Sequence, residues 1–175
     1  MTLRSLRGIN QNQRGFTLVE LLVVIAITGF IVGPVTAAIT QFSDINARST
    51  AHMTAIKEVE NGVHWIASDA QMAQTVGGEL TAPGGLTLTW SNDWASTTDS
   101  VNYAIQSGKL WRSYSPNGGQ PSSVVVVQYI SSDPLMTYSQ QPSAGVLNFK
   151  ITVSVEGRRP ASETRSFTIR LRSVQ

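Results

Sequence analysis

From Leu21 to Ser43 the chain carries no charged side chain, an uninterrupted run of 23 positions rich in Leu, Val, Ile and Ala. About 20 such residues cross a bilayer core as a helix. The pattern then changes. Ile45, Ile56, Val59, Val63, Ile66, Ala70 and Ala73 fall at spacings compatible with threes and fours, while Asp44, Arg48, Lys57, Glu58, Asn61 and Gln71 occupy the other face. That is an amphipathic helical stripe. The two patterns together predict one helix from Phe16 to about Val76, roughly 90 Å long at 1.5 Å per residue. Its membrane half is 16–43. Gly77-Gly78 supplies the stop signal, Ser49-Thr50 is a candidate break, and Gly62 weakens the stripe. Within the span, the Gly33-Pro34 pair predicts a kink, because proline removes one backbone donor and crowds the carbonyl four residues back.

Beyond Gly78 the period shortens to two. Leu86–Trp90 alternates, and Val101–Gln106 and Lys109–Tyr114 flank Ser107-Gly108, a two-residue hairpin turn. The β-branched run Val124–Ile130 reads as a central strand. Val146–Val155 and Phe167–Leu171 form a last pair across a loop holding Gly157, Arg158, Arg159 and Pro160. In that pair Phe167, Ile169 and Leu171 share one face. The expected class is α+β, one long helix laid on a mostly antiparallel sheet.

Charge sharpens this picture. Three of the 13 basic side chains, Arg4, Arg7 and Arg14, precede Gly15; the other ten face 11 acidic ones, a net of −1. Bulk charge therefore gives no reason to expect nucleic acid as a partner. No basic residue follows the span until Arg48, so the positive-inside rule keeps the N terminus cytoplasmic and places the C-terminal domain outside. The chain has no cysteine, which excludes disulfides, thiol catalysis and cysteine-ligated zinc. One acid breaks the rule of the apolar segment. Glu20 stands at its start, where a carboxylate costs roughly 2.5–3.5 kcal/mol on insertion scales and marks a functional position.

The stretch Gly15-Phe16-Thr17-Leu18-Val19-Glu20-Leu21-Leu22-Val23-Val24-Ile25-Ala26-Ile27 resembles the prepilin leader of type IV pilins and type II secretion pseudopilins. The resemblance implies a leader, 1–15, cut after Gly15 by a prepilin peptidase. It implies N-methylation of Phe16, an assembly helix over 16–43 and a pilin-like globular domain over 44–175. It also implies that Glu20 pairs with the free amine of a neighbouring subunit in a fibre. Implied partners are the peptidase, other pilin or pseudopilin subunits, the inner-membrane assembly platform and, before assembly, membrane lipid. The expected location is the inner membrane, single-pass, then a filament or pseudopilus. Asp69-Ala70-Gln71-Met72-Ala73-Gln74 and the hairpin Tyr103–Arg112 are similar to segments of minor pilins and of the J-type minor pseudopilin. Three other accounts compete, the first a buried core helix, although an uncharged run of this length is not expected in a small soluble domain. A Sec signal peptide would be cut near Val35-Thr36-Ala37-Ala38 and release an exported binding domain, although its apolar region usually runs only 7–15 residues. An uncut membrane anchor would hold the same kind of domain.

Candidate chemistry in the head is sparse. His52 and His64 are twelve apart on the helix, about 120° out of phase. Glu60 and His64 are spaced to pair on one face. No nucleophile elbow, phosphate loop or zinc-protease motif occurs, so no enzymatic activity and no cofactor are expected. Asn92, Asp93 and Asp99 share a polar loop and Asp133 another. Oxygen ligands of that kind suit Ca²⁺, as in major pseudopilins, with Asp93 and Asp99 the metal candidates. Turn formation is the competing account. Trp90, Trp94, Trp111 and Tyr114 are read as sheet packing or a partner patch. Arg158, Arg159, Arg165, Arg170 and Arg172 are read as a solvated face, with DNA contact as the sharper alternative.

Overall fold

The structure, a computed structural model, describes residues 15–92, 97–131 and 133–172. The expectations on Arg4, Arg7, Arg14, Asp93 and Trp94 lie outside the described residues. The chain divides into two units, Met1–Ser43 and Asp44–Gln175.

One continuous α-helix, α1, spans Leu18–Met72. It starts two residues later and stops four residues earlier than the sequence pattern predicts. Ser49-Thr50 makes no break, and Gly77-Gly78 does not stop the helix but closes the first strand. Over 18–43 every residue is exposed. Among the described residues of this unit none covers the apolar surface, and an apolar patch of this extent marks a membrane or partner contact. Thr28, Thr36 and Ser43 each donate their hydroxyl to the carbonyl four residues back, at 2.7, 2.9 and 3.1 Å. These bonds hide polar atoms that hydrocarbon would penalise. Pro34 lies inside the helix.

In the second unit the apolar stripe of α1 narrows to Ala55, Val59, Gly62, Ile66 and Ala70, all buried, with Asp69 buried beside them. Ile45, placed in the stripe by its spacing, is 57% exposed instead. Gly62 is a contact point and not a weakness. A Cβ there would stand 2.6 Å from Val127 Cγ2 and 3.4 Å from Ile151 Cδ1, so only glycine lets the helix approach the strands this closely. Among the described residues eight strands follow in two antiparallel sheets. The first sheet has β1 (Thr75–Gly78), β2 (Leu86–Asn92), β3 (Thr97–Gln106), β4 (Lys109–Ser115) and β5 (Ser122–Val127) in sequential order. The second has β6 (Tyr138–Ser143), β7 (Val146–Val155) and β8 (Ala161–Arg170), also in order.

The hairpin expected at Ser107-Gly108 joins β3 to β4. Both residues have positive φ, 51° and 69°, the geometry that follows strand twist. The run Val124–Ile130 is not a central strand. β5 ends at Val127 and forms the edge of the first sheet, and Ile130 pairs by a single bridge with Val153 of the second. Three backbone bonds stitch the sheets here: Ile130 N–H to Gly108 O, Ser131 N–H to Thr152 O and Ser154 N–H to Tyr129 O, each 2.8–2.9 Å. Continuous β-branching reports strand propensity and not burial: Val126 and Val127 are buried, but Val124 is 48% exposed and Val125 half-buried. It does not report whether the backbone stays in one sheet. Tyr103, Phe149, Leu86, Leu88, Leu110, Leu147 and Ile151 fill the core against α1.

Candidate functional site: the N-terminal junction and the head clamp

Gly15, Phe16 and Thr17 precede the helix in non-helical backbone. Thr17 caps it. Its hydroxyl accepts from the Glu20 N–H at 3.2 Å, and its carbonyl accepts from the Leu21 N–H at 3.2 Å. Thr17-x-x-Glu20 is the spacing of a capping box, which sequence reading passed over. Glu20 therefore has a local use as well, since a carboxylate in the first turn stabilises the helix dipole. It forms no ion pair among the described residues. Phe16 is 83% exposed. A Cβ built at Gly15 meets nothing within 4 Å, so the chain's own packing makes no demand for glycine at this position. Among the described residues the junction is thus exposed, non-helical and sterically open, a state in which a peptide bond can enter a protease cleft.

The head has a polar centre that the sequence did not reveal as such. Asp69, 2% exposed near the end of α1, accepts two bonds from Arg112 of β4: Nε to Oδ2 at 2.7 Å and Nη2 to Oδ1 at 2.9 Å. The Tyr103 hydroxyl of β3 also donates to Asp69 Oδ2. The Arg112 guanidinium lies 4.8 Å from the Trp65 ring centroid and 5.6 Å from that of Tyr114, which in turn stacks on Trp90 at 6.3 Å. Burial and then the Asp69 carboxylate push the Tyr103 phenol far above its usual 10. The bond to Asp69 raises Arg112, and burial followed by Asp99 raises Tyr114. Every partner here is consumed by another, so the cluster pins the helix end to the first sheet and leaves no free nucleophile or base. The two segments whose resemblance to minor subunits stood apart in sequence, Asp69–Gln74 and Tyr103–Arg112, meet in this clamp.

Other candidates separate. Asp99 accepts from the Tyr114 hydroxyl at 3.2 Å and the Asn117 N–H at 3.0 Å; Asp133 accepts from the Leu135 N–H at 2.9 Å. Asp133 is a turn-forming carboxylate, but Asp99 lies in β3 and Asn92 in β2, so the polar loop expected to hold both is strand instead, and among the described residues no cluster of three metal-binding side chains forms. Glu60 and His64 make no ion pair. The arginines divide: Arg158 and Arg159 both meet Asp44, at 3.0 and 2.7 Å, while Arg165 reaches Glu163 at 3.5 Å. The Arg159 hydrogen bond holds the Asp44 carboxyl below its usual 3.8.

Residues 10–36 match the family model of the prokaryotic N-terminal methylation motif. The match covers the junction and the first 16 of the 23 positions of the apolar run. No curated protein and no solved structure matches the chain. The chain thus carries a prepilin-type N-terminal motif ahead of a helix long and apolar enough to span a membrane.

Proposed function

We propose that this chain is the precursor of a minor pilin or pseudopilin, a structural subunit of a type IV pilus or type II secretion pseudopilus. The observation that carries the reading is the methylation motif falling on an open Gly15-Phe16 junction that opens directly into a fully exposed apolar helix. A prepilin peptidase cuts after Gly15 and the new amine of Phe16 is methylated. The span anchors the precursor in the inner membrane with the head outside. It then leaves lipid for a bundle of neighbouring spans, with the assembly platform supplying the transfer. In that bundle Glu20 meets a neighbour's N-terminal amine, and pairing offsets the burial of both charges. The reading gives the head no catalysis and no cofactor. Its Asp69–Arg112 clamp is structural.

N-terminal sequencing and intact mass of the mature protein test this directly. The expected product starts at Phe16 and is one methyl group heavier than its sequence. In a strain holding the peptidase, Gly15→Val is expected to leave the full precursor. A product starting near Ala38, or no cleavage, would establish the exported or anchored binding domain instead.

A further inference from the structure

We propose that the head carries a phosphate-binding cleft that takes the headgroup of an anionic phospholipid. Ile45, Arg48, Ser49 and His52 lie at i, i+3, i+4 and i+7, so one face of α1 presents all four. Pro160, just before β8, and Ser162, near its start, form the opposite wall of a cleft of about 630 Å³, within the range of small-molecule sites. The polar lining consists of a guanidinium, an imidazole and two hydroxyls, with no carboxylate. Each of these groups donates hydrogen bonds, and an arginine fork fits two phosphate oxygens at once.

Arg48 and His52 are exposed and make no ion pair among the described residues. The nearest acid on the same helix, Asp44, is already engaged by Arg158 and Arg159. The charge of Arg48 is therefore uncompensated in a place built from donors. Two further observations select a lipid. Ile45, 57% exposed, gives the cleft an apolar lip beside its donors. Arg48 is also the first basic residue after the uncharged run and follows its last residue, Ser43, by five positions. A guanidinium this close in sequence to the apolar run attracts an anionic headgroup lying within a Debye length and can grip its phosphate bidentately.

The proposal depends on the membrane reading only for the source of the lipid. Cleavage and polymerisation play no part in binding. The test uses the full chain in dodecyl maltoside micelles, titrated with dihexanoyl phosphatidylglycerol and, separately, dihexanoyl phosphatidylcholine. Native mass spectrometry counts the lipid retained. One phosphatidylglycerol per chain is expected, with phosphatidylcholine lost. Each basic group near an anionic lipid contributes about fivefold, so Arg48→Gln with His52→Gln is expected to cut retention at least fivefold. Ser162→Asp, which leaves both donors in place, is expected to do the same. Arg165→Gln removes equal charge outside the cleft and is expected to change nothing. Equal retention of both lipids, or equal loss in Arg165→Gln, overturns the site. Displacement by equimolar inorganic phosphate overturns the lipid as its ligand in favour of free phosphate. Displacement by a short DNA duplex overturns it in favour of nucleic acid. An uncut chain that still retains the lipid separates this site from the fate of the precursor reading.

Discussion

At the residue scale, two side chains carry consequences far from their neighbours in sequence. Asp69 is tolerated at 2% exposure only because Arg112 and Tyr103 satisfy it. Arg112→Ala would leave a buried, uncompensated carboxylate, a change that costs about 3–5 kcal/mol. The expected result is a large fall in the denaturation midpoint of the head, followed by near-UV circular dichroism. Replacing the pair together with apolar residues of similar volume should cost much less, because no charge is then stranded. Gly62 is the other case. Its missing Cβ makes room for Val127, and Gly62→Ala forces that strand or the helix to shift. Overpacking of this kind costs about 1–3 kcal/mol. The same change on an exposed helix face would be stabilising by roughly 1 kcal/mol, so the sign of the measured change reports the contact.

At the scale of elements, α1 combines two surface rules in one helix. Before Ser43 it exposes apolar side chains on every face; beyond Asp44 it buries one stripe. The first rule was legible because hydrocarbon requires long uncharged runs. The second was legible in period but not in extent, since Ile45 fits the spacing and yet meets no core. At the head of the helix, Glu20 has two uses that one experiment separates. Glu20→Ala is expected to leave cleavage intact and to lower incorporation into sheared fibres. Glu20→Gln keeps a residue able to complete the capping box but removes the charge. If Glu20→Gln assembles normally, capping is the whole role and the amine-pairing hypothesis fails. Among strands, the two-residue turn was legible because only certain residues accept positive φ. β1 and β6 were missed, since four residues ending in Gly-Gly, and a strand with its register shift between Gln140 and Ser143, lack a clean alternation.

For the whole molecule, stability should depend on pH at both extremes. Asp44 has a folded pKa below 3.8, so its contribution is complete above that value and is lost as pH falls through the folded value. Tyr103 has a folded pKa above 10, so its contribution is complete below pH 10 and is lost as pH rises beyond it. Thermal midpoints measured against pH are expected to be flat between these limits where these two groups are concerned. Asp44→Asn should reduce the acid limb, and Tyr103→Phe the alkaline limb. What the sequence alone determined was whatever depends on near neighbours: the long apolar run, the Gly15-Phe16 motif with Glu20, the turn at Ser107-Gly108 and the α+β class. Periodicity, charge and turn chemistry are local, and they act before the chain folds. The tertiary structure alone decided which distant positions meet. Asp69 finds Arg112 43 residues on, and Glu58 accepts the Gln128 N–H 70 residues on. It also decided that β5 is an edge and that the strands divide into two sheets. Such pairings follow from three-dimensional closure, in which a residue's partner is set by packing of the whole core and leaves no periodic trace along the chain.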